Sequence, residues 1–474
     1  MTTTMEDIVA LCKRRGFVYP TSDIYGGLTS SYDYGPAGAE LLRNIRNIWW
    51  NYFIKRRTDM VGLDSQILLH PNTWVASGHV SAFNDPLVED KKTHKRYRAD
   101  HLIEAWIQQH PDKALVVEDL TIDQMGEFIA ANTIKSPDGN ELTRPQKFNL
   151  LFETKLGVVE GEKSTLYMRG ETAQGIFTNF KNIIDSTRVT FPFGVGQIGK
   201  SFRNEITTGQ FIFRTIELEQ AEIEYFFDPE MTDWKTLMDE WKSAMWDFVT
   251  KELGVSAAHL RWRQHTDKER SHYSKDTYDL DYEFPFGWKE LWGIAYRTNY
   301  DLTQHANLSK ADLTYTDPKT GKKFIPHVIE PALGINRTFF MLLADAYRKE
   351  PARNTTHSVA GGEMRTVLAV KPALAPTSIA VFPLVANKPE LVEKAKSVFL
   401  DLSKRFSVAW DARGNIGKRY LSQDEVGTPW CVTIDYTTLE DDTVTVRDRD
   451  TAVQERRNVT ELSAYFQKKL DTIE

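Results

Sequence analysis

The stretch Gln197–Phe226, QIGKSFRNEITTGQFIFRTIELEQAEIEYF, carries the clearest structural signal in the chain. Both halves are rich in β-branched and aromatic residues, and a polar segment with a glycine separates them, so we predict two strands joined by a turn. Arg203, Asn204 and Glu205 end the first strand, and Arg214 opens the second. Charged clusters therefore face each other across the turn. The second strand also carries Gln220 and a series of carboxylates, at Glu217, Glu219, Glu222 and Glu224.

The segments around this pair of strands predict two kinds of fold along the chain. From about 165 to 345, β-rich segments alternate with helical patterns, which indicates an antiparallel sheet with helices on one side. The segment KEPARNTTHSVAGGEMR then has the composition of a linker. The last hundred or so residues alternate strands and helices as a compact α/β domain. We therefore predict an α+β chain with a first domain at 1–360 and a second at 375–474.

The first 160 residues predict a helix and an insertion. The segment AELLRNIRNIWWNYFIKRR has apolar residues at helical spacing and follows Pro36, so we expect a long amphipathic helix there. Residues from about 90 to 160 are highly charged and interrupted by prolines, which predicts short elements outside the main sheet. The basic run in EDKKTHKRYRADH fits a solvated face or a nucleic-acid contact equally well.

Composition limits the class of protein. A chain of 474 residues suggests two to three domains, and its 41% hydrophobic and 26% charged residues are ordinary for a globular protein. No window has the roughly 18 uninterrupted apolar residues of a membrane helix, and the N-terminus lacks the features of a secretory signal, so we expect a cytosolic protein. Cys12 and Cys431 are far apart in the chain and indicate neither a disulfide framework nor a zinc site.

Three clusters of charged residues carry the chemistry. The first is Arg169 and Glu171, just before a helix that we expect to start near Thr172; the second is the pair of strands quoted above. In the third, IPHVIEPALGINRTFFMLLADAY, we expect Glu330 to end a strand and Arg337 to lie in the first turn of an apolar helix. Each cluster alone is compatible with surface ion pairs. Together, arginines and carboxylates fit a triphosphate with Mg²⁺ and a substrate with an amine, which indicates nucleotidyl transfer.

At this point the chain resembles the class II aminoacyl-tRNA synthetases, and within them the dimeric glycyl-tRNA synthetases. IYGGLTSSYDYGPAGAELLRNIRNIWW resembles the first motif of the family, which forms its dimer. RGETAQGIF, QIGKSFRNEI and EQAEIEYF resemble its glycine-binding segment and second motif, and HVIEPALGINRTF its third. GNIGKRYLSQDEVGTPWCVTIDY through VRDRDTAVQER resembles its anticodon-binding domain, with anticodon contacts expected at Lys418–Tyr420. The resemblance covers nearly the whole chain.

The resemblance implies a role for individual residues. Arg203 would hold the α-phosphate of ATP during attack by the glycine carboxylate, Glu205 would orient the adenine, and Arg337 would clamp the γ-phosphate. These three are the implied catalytic residues, and Glu290 is the implied ligand of Mg²⁺. The implied ATP contacts are Arg203, Asn204, Glu205, Phe213, Arg214, Glu217, Leu218, Glu290, Leu291, Gly334, Asn336 and Arg337. The implied glycine contacts are Arg98, Glu171, Leu218, Gln220, Glu222, Glu330 and Ala332.

The chain also departs from the family pattern close to the expected ligands. The second strand of the family usually reads Arg-x-Arg-Glu-Phe, whereas here Ile216 replaces a cation and Leu218 replaces the aromatic residue that stacks on adenine. Gly170, Ala332 and Asn336 replace a proline, a serine and an aspartate. Loss of a stacked ring costs about 1–3 kcal/mol. We expect weakened ATP binding, with neutral drift within a divergent lineage as the other explanation.

The resemblance implies a cytosolic homodimer that ligates glycine to tRNA-Gly through a glycyl-adenylate, with ATP and Mg²⁺. The alternative is a tRNA-binding paralogue with reduced or altered adenylation activity. We expect the dimer contact near residues 30–70, because one core-facing stripe of a helix cannot fully bury the adjacent residues Trp49 and Trp50.

Overall fold

The computed structural model describes residues 3–113, 115–117, 120–157, 164–205, 210–267, 269–271, 273–351 and 364–471. Most of the expected linker, at 352–363, and part of the expected turn after Glu205, at 206–209, lie outside these residues. The helices are α1 (Met5–Arg15), α2 (Pro36–Trp50), α3 (Pro71–Ala76), α4 (His79–Ala82), α5 (Ala99–Gln109), α6 (Ile122–Ala131), α7 (Ala173–Ser186), α8 (Trp234–Asp247), α9 (Tyr300–Ser309), α10 (Ile335–Ala346), α11 (Pro389–Leu402), α12 (Ile416–Val426), α13 (Tyr436–Asp441) and α14 (Leu462–Asp471).

The strands form several separate sheets. They are β1 (Val18–Pro20), β2 (Tyr32–Tyr34), β3 (Met60–Gly62), β4 (Leu68–Leu69), β5 (Asn84–Glu89), β6 (Arg96–Arg98), β7 (Gln146–Asn149), β8 (Glu153–Leu156), β9 (Ser164–Met168), β10 (Phe193–Phe202), β11 (Glu217–Phe227), β12 (Leu260–Gln264), β13 (Asp276–Phe284), β14 (Gly287–Thr298), β15 (Tyr315–Thr316), β16 (Lys323–Phe324), β17 (His327–Gly334), β18 (Tyr347–Pro351), β19 (Met364–Leu368), β20 (Ile379–Pro383), β21 (Val408–Trp410), β22 (Trp430–Ile434), β23 (Thr443–Asp448) and β24 (Gln454–Asn458).

The main sheet has seven strands in the order β12-β13-β14-β17-β11-β10-β3. Its pairs are antiparallel except for β3, which lies parallel to β10. The prediction of an antiparallel sheet flanked by helices is confirmed. The two quoted strands are its neighbouring strands β10 and β11, paired from Phe193 opposite Phe226 to Phe202 opposite Glu217.

Two strand ends differ from the sequence prediction. β10 ends at Phe202 and β11 begins at Glu217, so Arg203 and Arg214 lie in the connection rather than in the strands. Glu330 lies in the middle of β17, which continues to Gly334, and does not end the strand. The apolar residues after Glu330 pair with both neighbouring strands, and these pairs carry the strand onward to the start of α10.

Helix α2 packs against the main sheet with its tryptophans. Trp49 is fully buried, and Trp50 is half-buried against the same core. Gly62 allows this packing, because a Cβ at Gly62 would lie 2.3 Å from the indole of Trp50. The expectation that one core-facing stripe cannot fully bury both rings is confirmed, since Trp50 stays half-buried although β3 packs against its ring. The predicted helix after Pro36 is confirmed.

The charged segment after α4 forms a small unit beside the main sheet. Its sheet has the order β6-β5-β7, and α5 and α6 enclose an apolar cluster that includes Val88, Ile103 and Ile129. Much of the basic run is paired within this unit, as in the ion pairs of Lys91 with Glu141 and Lys95 with Asp138. These pairs favour the solvated face over the nucleic-acid contact.

The C-terminal part has its own five-stranded sheet, in the order β21-β20-β22-β23-β24, with parallel pairs at one end and antiparallel pairs at the other. A separate apolar cluster fills it. A buried ion pair joins it to the rest of the chain: Asp424 of α12 contacts Arg365 of β19, and it also contacts Arg447 of β23 within the C-terminal part. Cys12 and Cys431 are buried and free.

No helix in the described ranges is long and apolar enough to cross a lipid bilayer.

Candidate active site

A cavity of about 270 Å³ opens on the face of the main sheet formed by β11, β13, β14 and β17. One row of paired residues crosses the sheet at its centre: Asp279, Gly293, Ala332, Glu222 and Gln197. Residues paired across antiparallel strands point to the same face, and all of this row except Gln197 lines the cavity. Gly293 has no side chain, which leaves space between Asp279 and Ala332.

Glu222 is the most strongly hydrogen-bonded carboxylate of the cavity. Its Oε2 accepts the backbone N–H groups of Thr172 and Ala173, at 2.9 and 2.8 Å, and the Thr172 hydroxyl. Its Oε1 accepts the side-chain amide of Gln220 at 2.7 Å. The N-terminus of α7 thus points its N–H groups at this carboxylate, an arrangement that favours negative charge. Burial and Glu171 raise the pKa of Glu222, while the Thr172 hydrogen bond opposes them.

Glu171 lies beside Glu222 and is held ionised. Its Oε1 accepts the amide of Gln174 at 2.8 Å, and its Oε2 lies 3.4 Å from Nε2 of His79. Burial would raise the pKa of Glu171, but His79 and Arg297 outweigh burial and hold the pKa well below its usual range.

The buried guanidinium of Arg297 contacts three of the acidic side chains. Its Nη1 donates to Glu330 at 2.7 Å, and its Nε and Nη2 donate to Asp301 at 2.8 and 2.9 Å. Its Nη2 also lies 3.5 Å from Glu171, and its Cζ lies 3.9 Å from the ring centroid of Tyr273. A guanidinium with several ion pairs holds carboxylates rigidly in a dry site.

Arginines line the more exposed part of the cavity. Arg203 donates from Nε to the carbonyl of Gly170 at 3.0 Å, and Arg214 lies 3.1 Å from Glu205. Arg337, in the first turn of α10, lies 3.0 Å from Glu290, and this charge lowers the pKa of Glu290. Anionic phosphates are best bound at such a cluster of guanidinium groups.

Arg337 also stacks on an aromatic ring. Its Cζ lies 4.5 Å from the ring centroid of Phe213, and both residues line the same cavity as Leu218. Asn336 is engaged in the scaffold, since its Oδ1 accepts the N–H of Glu219 at 2.7 Å and its Nδ2 donates to the hydroxyl of Tyr34 at 2.5 Å.

Most of the residues expected from the sequence meet in this one cavity, but three do not line it. Arg98 forms ion pairs with Asp85 and Asp100, Glu217 is exposed at the start of β11 and pairs with Lys200, and Asn204 follows β10 outside the cavity lining. The expected residues that line it are Glu171, Arg203, Glu205, Phe213, Arg214, Leu218, Gln220, Glu222, Glu290, Leu291, Glu330, Ala332, Gly334, Asn336 and Arg337.

The sequence reasoning missed a second set of polar residues. Tyr273, His265 and Asp279 line the cavity, and His265 lies 2.9 Å from Asp279. Arg297 and Asp301 lie just below. The sequence could have predicted the ion pair of Arg297, because a lone arginine after the apolar run GIAY with an acid four residues later indicates a buried ion pair. His265 and Tyr273 gave no such signal.

In the segment expected to contact the anticodon, two of three side chains are used by the fold. The guanidinium of Arg419 is buried and donates to the carbonyls of Pro383, Arg413 and Gly414. The Tyr420 hydroxyl bonds to Thr433 at 2.6 Å. Lys418 is exposed.

Comparison with known proteins places this geometry in a family. Residues 378–469 match the family model described as "Anticodon binding domain". The chain is 48% identical to the "Glycine--tRNA ligase" of Caldanaerobacter subterraneus subsp. tengcongensis over 98% of both chains. It is 47% and 48% identical to the proteins of the same name from Clostridium beijerinckii and Clostridium tetani, over 99% of each chain. With carboxylates at one end of its cavity, arginines at the other and this likeness along its whole length, the chain belongs to the glycine–tRNA ligases, the class II glycyl-tRNA synthetases.

Proposed function

We propose that this cavity is where the ligase activates glycine with ATP. The observation that carries the proposal is the division of charge within one cavity: Glu171, Glu222 and Glu330 are buried, whereas Arg203, Arg214 and Arg337 are partly exposed. A small cation with a carboxylate fits the acidic end, and a triphosphate fits the basic end.

The first step follows from this placement. The three N–H groups of the glycine ammonium face the carboxylates of Glu171, Glu222 and Glu330. The side-chain amide oxygen of Gln220, which has no hydrogen-bond partner in the described part of the chain, is a further acceptor beside them. One oxygen of the glycine carboxylate attacks the α-phosphorus of ATP, and pyrophosphate leaves. Arg203 neutralises the charge that develops on the α-phosphate, while Arg337 holds the γ-phosphate. The product is glycyl-adenylate.

In the second step a hydroxyl of the terminal tRNA ribose attacks the carbonyl carbon of glycyl-adenylate, and AMP leaves. The acidic end still holds the ammonium group, so the carbonyl keeps its position between the two steps. We place tRNA-Gly recognition in the C-terminal part, with Lys418 as one exposed cation available for it, and the domain boundaries at 1–360 and 375–474. The adenine lies against Leu218 and Phe213, with Glu205 beside it.

Glu290 fits a Mg²⁺ site. Its carboxylate is about half-exposed, at 47%, and the Arg337 charge that lowers its pKa keeps it ionised. Mg²⁺ is commonly bound by one or two carboxylates together with substrate phosphates. When bound, the ion would neutralise phosphate charge, and Glu290 would be its protein ligand.

Glycine-dependent exchange of pyrophosphate into ATP tests the proposal. Wild-type protein should catalyse the exchange with glycine, and Glu171→Gln and Glu222→Gln should each raise the KM for glycine more than the KM for ATP. If both variants keep the wild-type KM for glycine, the glycine site lies elsewhere.

The likeness to the ligases over the whole chain does not favour the alternative of a tRNA-binding paralogue with reduced or altered adenylation. We further propose that the protein works in the cytoplasm as a homodimer.

A further inference from the structure

Beneath the cavity, the main sheet buries more acidic side chains than it has cations to match. The guanidinium of Arg297 contacts three of them, Arg169 and Arg203 act on Glu222, and His79 lies beside Glu171, which leaves fewer cations than acids. A buried carboxylate without matching charge or donors costs several kcal/mol, so such a group keeps its proton instead. The buried acids are Glu171, Glu222, Glu224, Glu330 and Asp301.

Glu224 is the clearest case of a neutral acid. It lies on β11, two residues beyond Glu222 on the same face, and is fully buried. Neither of its carboxylate oxygens has a hydrogen-bond partner within the described residues, whereas Glu222 accepts four hydrogen bonds. Burial and the nearby Glu330 raise the pKa of Glu224 well above its usual value.

Glu330 has fewer hydrogen-bond donors than Glu222 but more than Glu224. It accepts one hydrogen bond from Arg297, yet it lies close to several other acids. Burial raises its pKa to about 8; Arg297 opposes the rise, and Glu222 and Glu171 add to it. A carboxyl group of this kind is mostly protonated near neutral pH, and a cation placed beside it favours its ionised form.

We propose that glycine enters this pocket in exchange for a proton: Glu330 is neutral in the empty pocket, the substrate ammonium displaces its proton to the solvent, and Glu224 stays neutral throughout. This inference rests on the proposed position of glycine. The exchange balances, because the pocket gains one positive charge with the ammonium and loses one with the proton. Without the exchange, the pocket would hold a further unmatched carboxylate whenever it is empty.

The charged side chains near Glu330 affect whether it holds its proton. Glu171 is held ionised, and Arg297 and Asp301 neutralise each other in part. The titratable and charged groups that act on Glu330 or on the charged residues beside it are Glu222 and Glu224 on β11, Arg297 on β14, Asp301 and His305 on α9, Glu171 ahead of α7, His79 on α4, Arg169 after β9, Arg203 after β10, and Tyr273 ahead of β13.

The sign of the pH dependence follows from the proton released. Because binding releases a proton, glycine should bind more tightly as pH rises, by about tenfold per pH unit below the pKa of Glu330 in the empty pocket. The dependence should flatten above about pH 8, where that proton is already lost. A pocket with permanently ionised carboxylates would show no such slope.

Calorimetric titration of the full chain with glycine tests the exchange. Titrations near pH 7 in buffers of different ionisation enthalpy count the protons released, and we expect about one per glycine bound. Glycine binding without proton release would overturn the proposal.

Two matched glutamine variants assign the proton. Glu330→Gln should weaken glycine binding and abolish the release, whereas Glu224→Gln should retain the release, because an amide mimics a neutral acid. Release that persists in Glu330→Gln, or disappears in Glu224→Gln, would place the proton elsewhere and overturn the assignment. If Glu330→Gln binds glycine as tightly as wild type does, with the same proton count, the proposed glycine site itself fails.

Discussion

At the scale of the residue, Arg203 is the side chain on which adenylation depends most in our proposal. Its Nε is fixed by the carbonyl of Gly170, and its Cζ lies 5.5 Å from the ring centroid of Phe83. Both contacts come from the scaffold, so the guanidinium is positioned before any substrate binds. Such preorganised charge stabilises a transition state at no cost in reorganisation.

We therefore expect Arg203→Ala to lower the rate of pyrophosphate exchange by about 10²–10³-fold or more. Binding of tRNA should change little, because the C-terminal part that we propose for anticodon contacts is separate. A filter-binding assay measures the affinity of the Arg203→Ala variant for tRNA. The matched control is Arg413→Ala, an arginine with a 92% exposed side chain, which should leave the exchange rate unchanged. Equal loss of both activities in Arg203→Ala would indicate misfolding.

Leu218 gives a second prediction at this scale. It lines the cavity opposite Ser201, where the family resemblance implies an aromatic residue against adenine. A leucine offers dispersion contacts but no π-face. Leu218→Phe should lower the KM for ATP about tenfold, which corresponds to about 1.4 kcal/mol, and leave the KM for glycine nearly unchanged.

The ATP dependence of pyrophosphate exchange measures this effect. Leu421→Phe, the same substitution at a partly exposed position of α12, is the control. Ile216 does not line the cavity, so Ile216→Arg should add little to the effect of Leu218→Phe. An unchanged or higher KM for ATP in Leu218→Phe would show that the wall has repacked around leucine.

At the scale of the element, α2 depends on a close approach to the start of the chain. Gly38 lies in the first turns of α2, and a Cβ on it would lie 2.0 Å from the carbonyl oxygen of Phe17. The N–H groups of Ala37 and Gly38 donate to the carbonyl of Gly16, at 3.0 and 3.3 Å. A side chain at this position would push the helix away from these acceptors.

Gly38→Ala should therefore destabilise the protein by about 1–3 kcal/mol, the usual cost of overpacking. Gly417→Ala in α12 is the control with the opposite sign. There a Cβ would meet only the side chain of Asn415, at 3.6 Å, and alanine favours a helix by about 1 kcal/mol over glycine. Thermal unfolding of the variants and the wild type decides between these expectations. A Gly38→Ala variant as stable as wild type would show that α2 can shift freely.

The sequence predicted elements better than it predicted contacts. Periodicity located α2 and the pair β10 and β11, because these signals are local. It could not show that β17 continues past Glu330, because pairing with two distant strands extends it. It also could not show that Gly62 makes room for Trp50, or that His265 and Asp279 meet, because those contacts depend on packing between elements.

At the scale of the whole molecule, charged contacts join the N-terminal and C-terminal parts. Arg365 lies on β19, which pairs with β18 directly after α10, and it contacts Asp424 of α12. The next residue of α12, Glu425, contacts Arg14 and Arg15 of α1. The end of α12 is thereby fixed to the N-terminal part from two sides. Residues from distant parts of the chain supply each pair, so local patterns in the sequence did not reveal this junction.

The homodimer is also a prediction about the whole molecule, and the structure indicates a different apolar surface for its interface. Trp49 is buried and Trp50 is half-buried against β3, so the two rings leave only a small apolar surface for a partner. Ile24 and Tyr25, just before the expected contact, are instead 88% and 86% exposed, and Leu28 is 56% exposed. Adjacent exposed apolar side chains of this size commonly mark an interface.

We expect wild-type protein to be a dimer at micromolar concentration, and the double variant Ile24→Asp, Tyr25→Asp to shift it toward monomer, because burying two carboxylates in an apolar interface is costly. Light scattering measures the mass of each species. Tyr436→Asp, at a 50% exposed tyrosine of α13, is the control and should remain dimeric. A monomeric wild type would refute the dimer. A dimeric double variant would place the interface away from Ile24 and Tyr25, and the exposed apolar residues there would need another partner.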